Sequence, residues 1–213
     1  MFTGLIEEIG RIDAIRDNPS GRQLTICARQ VTENLKVGDS LAVDGVCLSV
    51  IACDPQRFTV QAVSETLERS TLQSCAPGRP VNLERAMAAQ GRFGGHFVQG
   101  HVDGVGSIVS RQPKGQAANI GIEIPPELAR FTVPKGSVAV DGISLTIAQS
   151  SGVVITIAVI PLTLNETTLG LKRVGDPVNI EVDLIAKYVQ RLLSGEGNDQ
   201  PLTEKIRRWG YQH

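Results

Sequence analysis

The segment SLAVDGVCLSV (residues 40–50) returns as SVAVDGISLTI (residues 137–147), with six identities in eleven positions at an offset of 97. Outward from this pair, FTVQAVSETLERSTL (58–72) matches ITIAVIPLTLNETTL (155–169), and GRPVNLERA (78–86) matches GDPVNIEVD (175–183), both at the same offset. Upstream, FTGLIEEIGRI (2–12) matches VQGHVDGVGSI (98–108) at 96, so a one-residue slip falls in the variable stretch that follows. Four blocks in order at a nearly constant spacing define a tandem duplication. The expected organisation is one unit over 1–97, a second over 98–183, a helix over 184–195 and a tail over 196–213.

Each copy is written in short apolar or alternating runs: Leu41 to Val43, Cys47 to Ile51, Phe58 to Val63, Val81 to Leu83. Asp44-Gly45, Asp54-Pro55 and Pro77-Gly78 punctuate them. Val, Ile and Thr suit a pleated, half-buried surface, and the punctuating pairs suit turns. Asp-Gly at 44–45 and again at 141–142 predicts tight hairpins. The fold class is therefore all-β, with about six strands per copy, and closing each set into a barrel removes its unpaired edges. SETLERSTL and LTLNETTL each predict a short helix after a strand.

The clearest helix is DLIAKYVQRLLSGEG (183–197), where Leu184, Tyr188 and Leu192 recur every fourth residue, as do Ile185, Val189 and Leu193. Gly195 is placed to end it. Its apolar stripe must cover either its own barrel or a partner subunit. Nothing comparable ends the first copy.

Bulk properties exclude several roles. Lys and Arg total 21 against 22 Asp and Glu, so no basic excess exists to neutralise phosphates, and a nucleic-acid partner is not expected. MFTGLIEEIG carries acids where a signal peptide needs bases. The longest chiefly apolar stretch, Val153 to Ile160, falls far short of the ~20 residues of a membrane span. The four cysteines, at 27, 47, 53 and 75, all lie in the first copy and form no CxxC, which points to reduced thiols, no disulfide framework and a cytoplasmic protein.

His96 and His101 invite a metal reading, but five positions apart on a strand sets them on opposite faces, and the third histidine is residue 213. No metal is expected. No GxSxG elbow is present. The repeat singles out other residues. Cys47 faces Ser144 and Ser49 faces Thr146 in the alignment, so small polar groups recur on one face while Leu48 and Leu145 point to a core. That pattern fits a polar pocket wall as well as simple packing. The copies disagree at ionisable positions: Leu5 against His101, and Ala86 against Asp183. Asp183 also stands where a helix N-cap belongs.

Taken together, MFTGLIEEIG, GDSLAVDGVCLSV, VSETLERSTL, VNLERA, GGHFVQGHVDG, KGSVAVDGISLTI, IPLTLNETTLG and VNIEVDLIAKYVQRLL resemble riboflavin synthase of the alpha-chain type, a family of two lumazine-binding repeats. The blocks run from Met1 to about Leu193. The resemblance implies two six-stranded Greek-key β-barrels and a C-terminal helix that joins three subunits. It implies a transferase of riboflavin biosynthesis acting on two molecules of 6,7-dimethyl-8-ribityllumazine. A four-carbon unit passes between them, giving riboflavin and 5-amino-6-ribitylaminouracil, with no cofactor. The active site is implied between the N-terminal barrel of one subunit and the C-terminal barrel of another, and lumazine synthase becomes a candidate partner.

By the resemblance, Gly4, Leu5 and Ile6, with Cys47, Leu48 and Ser49 and the run Gln61, Ala62, Val63, Ser64, Glu65 and Thr66, hold one lumazine. Gly100, His101 and Val102, with Lys135, Ser144, Leu145 and Thr146 and the run Ala158, Val159, Ile160, Pro161, Leu162 and Thr163, hold the other. Cys47, His101, Ser144 and Asp183 are the expected catalytic residues. His101 acts as base or polarises the ring with Ser144 bonded to it, Cys47 adds to the substrate or positions a water, and Asp183 shuttles protons. Leu162 stands where the first copy has Glu65, so a contact made there by one barrel is absent from the other. Two rivals remain: a non-catalytic lumazine or flavin carrier of the same fold, and a structural barrel without ligand.

Overall fold

The computed structural model describes residues 1–194. Gly195 and the tail over 196–213 lie outside the described residues. The first copy contains β1 (Glu8–Asn18), β2 (Gly21–Cys27), β3 (Ser40–Val43), β4 (Val46–Asp54), β5 (Arg57–Ala62), α1 (Ser64–Glu68) and β6 (Pro80–Arg85). The second contains β7 (Gly104–Lys114), β8 (Ala117–Glu123), β9 (Ser137–Val140), β10 (Ile143–Ser151), β11 (Val154–Val159), α2 (Pro161–Glu166) and β12 (Pro177–Val182), followed by α3 (Leu184–Leu193).

Both copies close into six-stranded antiparallel barrels, in the orders β1-β2-β5-β4-β3-β6 and β7-β8-β11-β10-β9-β12. The irregularities repeat as well. Register shifts at Ile12/Ala14 and Val50/Ala52 recur at Ile108/Ser110 and Ile147/Gln149. Bulges bend a strand and strengthen its twist, which a small closed barrel requires at fixed points. The one-residue slip falls between β2 and β3, where the second copy's connection carries a short 3-10 helix, Pro126–Phe131.

Alternation fills each barrel. Leu24, Ile26, Leu48, Val50, Phe58 and Val60 lie inside the first, and Ile120, Ile122, Leu145, Ile147, Ile155 and Ile157 inside the second. The Asp-Gly hairpins form as expected, with positive φ at Asp44 (45°), Gly45 (77°), Asp141 (46°) and Gly142 (79°). They also do something the sequence does not announce, for the two turns meet backbone to backbone between the barrels. A Cβ on Gly45 would stand 2.5 Å from the Gly142 nitrogen.

Around that contact a buried polar network runs in two near-copies. Asp44 accepts from the Asn82 backbone N–H (2.8 Å) and Asp141 from that of Asn179 (2.7 Å). Each asparagine side chain then reaches the other barrel. Asn82 donates to the Asp141 carbonyl and accepts from Thr168 N–H, while Asn179 donates to the Asp44 carbonyl and accepts from Thr71 N–H. The counter-ions come from non-equivalent positions, Arg79 for Asp44 (2.9 Å) and Lys172 for Asp141 (2.8 Å). Burial and the neighbouring Asp141 charge push the Asp44 carboxyl up from its ordinary value.

The third helix, α3, begins on Asp183, whose Oδ1 accepts from Ile185 N–H at 2.9 Å. Its apolar side is not laid on its own barrel. Ile185, Tyr188, Val189, Leu192 and Leu193 are all exposed. Of the two coverings open to this stripe, its own barrel leaves these five side chains uncovered among the described residues.

Candidate active site: two seats built across the barrels

The segments that precede each barrel cross to the other one. Phe2 N–H donates to the Val98 carbonyl (2.8 Å) and Val98 N–H to that of Phe2 (3.2 Å), so the two crossings run side by side. Past this bridge they diverge. The Gly4 carbonyl accepts from Ser144 N–H of the second barrel, and Ile6 packs on that barrel's core. The Gly100 carbonyl accepts from Cys47 N–H of the first barrel, and Val102 packs on the first core. Both bonds are 2.8 Å long. Positive φ at Gly4 (77°) and Gly100 (79°) turns the chain here, and a Cβ at either would collide with the Cβ of Ser144 or Cys47.

The structure brings together segments that the grouping by sequence order set apart. Gly4, Leu5 and Ile6 sit with Ser144, and Gly100, His101 and Val102 sit with Cys47. Sequence order assigns each segment to the barrel it leads into, whereas backbone pairing carries it to the other.

The first seat is a cavity of about 200 Å³ among Val46, Cys47, Val63, Thr66, Gly100, His101 and Val102, with Glu65, Arg69 and Ser70 on the α1 side. Cys47 is half-buried and His101 exposed. Ser49 lies exposed on β4 opposite Gln61 of β5, and Leu48, between Cys47 and Ser49, faces the core. Ala62 is buried, and Ser64 starts α1. Glu65 forms an ion pair with Arg69 at 3.4 Å. A larger cavity of about 460 Å³ lies beside Leu5, Glu84 and Arg92. It contains none of the four expected catalytic residues.

The second seat carries different chemistry. Ser144 Oγ is 2.7 Å from Nδ1 of His96, not bonded to His101 as expected. His96 is buried, and its backbone N–H donates to the Thr3 carbonyl at 3.2 Å. Burial pushes the His96 imidazole below its ordinary value, with the charge of Asp183 pulling the other way. Thr146 is exposed on β10 beyond buried Leu145. Ala158 and Ile160 are exposed around buried Val159, and Pro161, Leu162 and Thr163 open α2, with Leu162 exposed. Lys135 takes a positive φ of 68° in the turn before β9 and donates its N–H to the Ile147 carbonyl.

Residues 96–103 form no regular strand, so the geometry first used to separate His96 from His101 does not apply. They are separated by destination instead, one going to each barrel. Among the described residues no cluster of three or more His, Cys, Asp or Glu suits a metal ion. His96 is the functional candidate that sequence reading passed over. Its signal was the Gly94-Gly95 pair before it: a Cβ at Gly95 would stand 2.0 Å from the Thr3 carbonyl oxygen and 2.9 Å from Ser144 Oγ.

Two closed barrels with paired seats are the architecture of a tandem lumazine-binding protein, and the family described as "Lumazine binding domain" matches residues 3–86 and 99–183. The chain is 47% identical over 193 residues to the riboflavin synthase of Bacillus amyloliquefaciens, covering 91% of this chain and 90% of that one. It is 43% identical over 201 residues to that of Actinobacillus pleuropneumoniae, covering 94% of each. The chain belongs to the riboflavin synthase family. In fold it is also similar to the solved structure of LumP complexed with riboflavin, with a TM-score of 0.79 at 23% identity over 85% of this chain and 99% of that one.

Proposed function

We propose that the chain is a riboflavin synthase that transfers a four-carbon unit between two molecules of 6,7-dimethyl-8-ribityllumazine, giving riboflavin and 5-amino-6-ribitylaminouracil. The observation that carries this reading is the pair of seats. They share one backbone plan and carry different polar groups, Cys47 and His101 in one, Ser144, His96 and Asp183 in the other. A reaction between two identical molecules with opposite roles needs matched shapes and unmatched chemistry. Holding both at reacting distance removes a barrier worth roughly 7–11 kcal/mol. The reaction is a dismutation: what one molecule loses the other gains, so it needs no external oxidant or reductant.

One ligand loses a proton from its C7 methyl group while a nucleophile adds to C7 of the other. His101, exposed beside Cys47, is the base in this reading. Cys47 adds to C7 or orients the water that does. In the second seat Ser144, backed by neutral His96, holds the ligand, and Asp183 moves protons on that side. Gly100–Val102, Cys47–Ser49 and Gln61–Thr66 form one binding set, and Gly4–Ile6, Lys135, Ser144–Thr146 and Ala158–Thr163 the other.

A cavity of about 200 Å³ is smaller than the ~300–1,000 Å³ of clefts that bury a drug-sized ligand. That supports a seat completed by a second subunit. The bare apolar side of α3 supports a homotrimer joined by this helix. A cytoplasmic location fits the unpaired cysteines. Among the described residues no helix is long and apolar enough to cross a membrane.

Purified protein mixed with the lumazine alone, followed by riboflavin absorbance, tests the reading. Steady riboflavin formation is expected. A bound chromophore that does not change would make the chain a carrier instead.

A further inference from the structure

Each crossing segment is gripped by a buried carboxylate. On β6, Glu84 accepts from Thr3 N–H (2.7 Å), Thr3 Oγ1 (3.0 Å) and Gly4 N–H (3.1 Å). On β12, Glu181 accepts from Gln99 N–H (2.7 Å) and Gly100 N–H (2.9 Å). The two glutamates are repeat partners, VNLE against VNIE at an offset of 97, and both are buried. Successive N–H groups leading into a left-handed glycine form a small anion-binding concavity, and here each concavity is filled by the chain's own carboxylate.

The grip crosses between barrels. Glu181 belongs to the second barrel, yet the Gly100 it holds passes its carbonyl to Cys47 N–H of the first and is followed by His101. Glu84 belongs to the first barrel, yet the Gly4 it holds passes its carbonyl to Ser144 N–H of the second and is followed by Leu5. A carboxylate presents two acceptor oxygens to two converging donors. An amide of the same shape turns an NH₂ toward one of them, leaving a buried N–H without a partner.

We propose that Glu84 and Glu181 are positioning residues for the reaction, each acting through the segment it clamps on the seat of the opposite barrel. The inference rests on the riboflavin synthase reading of those seats. The two clamps differ in what they deliver. Glu181 fixes an ionisable side chain, His101, over Cys47, and Glu84 fixes the apolar Leu5 beside Ser144. Loss of the Glu181 clamp therefore falls on kcat, and loss of the Glu84 clamp on KM.

Glu181→Gln and Glu84→Gln in the full-length protein test this. Glu181→Gln lowers kcat by roughly 10- to 100-fold, the size expected when a reacting group is displaced by about 1 Å. The diagnostic readout needs no substrate. Cys47 lies under Gly100, so its alkylation by iodoacetamide, followed by peptide mass spectrometry, reports the clamp directly. Labelling speeds up by about tenfold in Glu181→Gln and stays within about twofold of wild type in Glu84→Gln. Equal acceleration in both variants, or none in Glu181→Gln, overturns the proposal. Failure of the underlying functional reading would appear separately, as wild-type protein that forms no riboflavin.

A measurement on the unmodified protein covers the case of a variant that does not fold. Glu181 faces Lys187 of α3 and Asp103, which form an ion pair with each other at 2.7 Å, and burial raises it to about 7. The test is made at one pH, on the N–H groups that Glu181 holds: Gln99 and Gly100 should exchange more than about 100-fold below their intrinsic rates in the unmodified protein. Less protection than that at either amide overturns the proposal.

Discussion

Beneath the crossing glycine of the first seat lies Cys47, with exposed His101 next along the segment. In the second seat the same position holds Ser144, bonded to buried His96, and the residue next along the crossing is Leu5. The backbone bonds, the glycine conformations and the clamping glutamates are the same in both. Duplication has thus kept everything that sets shape and released what sets chemistry. On the proposed reading, the difference assigns function to a few side chains presented by a common frame. Frame and side chains can be attacked separately.

The largest effect comes from breaking the frame. Gly100→Ala places a Cβ 2.5 Å from that of Cys47 at a φ of 79°, and Gly4→Ala does the same to Ser144 at 2.6 Å. Either should reduce riboflavin formation by more than about 100-fold. Gly38→Ala, also at positive φ but with nothing within 4 Å, should lose only about 1 kcal/mol in urea unfolding and keep its activity.

Next comes the feature that only the second copy carries. Asp substitutions at Ile185 and Leu192 together put charge on the bare side of α3. Sedimentation should then show dissociation, with most of the activity lost, while the far-ultraviolet spectrum of the barrels is retained.

The junction between the barrels gives a smaller effect, read in stability. Asp44→Ala takes the counter-ion from Arg79, which keeps its bonds to Thr71, leaves the buried Asn82 N–H without a partner and should cost about 1–3 kcal/mol in urea unfolding. Glu181 adds a pH dependence. Its carboxyl is raised from 4.5 to about 7, so its favourable contribution is complete below its unfolded value and lost as pH rises through about 7. The destabilisation measured for Glu181→Gln should accordingly shrink by on the order of 1–3 kcal/mol between about pH 5 and about pH 8.5.

The side chains come last. Asp183→Ala removes both a cap and a charge near His96, whereas Asp183→Ser keeps a capping oxygen. Both variants should lose about tenfold in kcat, and only the alanine variant about 1 kcal/mol of stability. Unchanged turnover in both would remove Asp183 from the mechanism. The mildest change, Cys47→Ser, makes the two copies alike at this position. A loss of less than about tenfold is expected, since a hydroxyl can still orient a water.

How much of this was legible in the sequence follows from what each residue is measured against. The barrels were legible because repeat and alternation are both local patterns: the DG hairpins, the apolar runs and the α3 stripe each show within a dozen residues. The grouping of the seats was not, because a crossing segment looks the same whichever barrel it pairs with. Glu84 and Glu181 were hidden by alternation itself. In VNLER and VNIEV they occupy the polar positions of a strand with one wet face, but β6 and β12 are buried on both faces where crossing segments cover them. His96 escaped for a different reason. The comparison between copies exposed Cys47, His101 and Asp183 by mismatch, but His96 precedes the second block and has no counterpart to mismatch with.

The crossed segments also impose an order on the birth of the molecule. Residues 98–102, which wall the first seat, follow its barrel closely in the chain, so that seat can be assembled early. Residues 2–6 belong against Ser144, some 140 positions later, and their place does not exist until the second barrel has been made. Such a pairing of distant segments closes slowly. A segment made before either barrel is thus among the last to find its seat, and until then its buried Phe2 needs shelter from neighbouring chains.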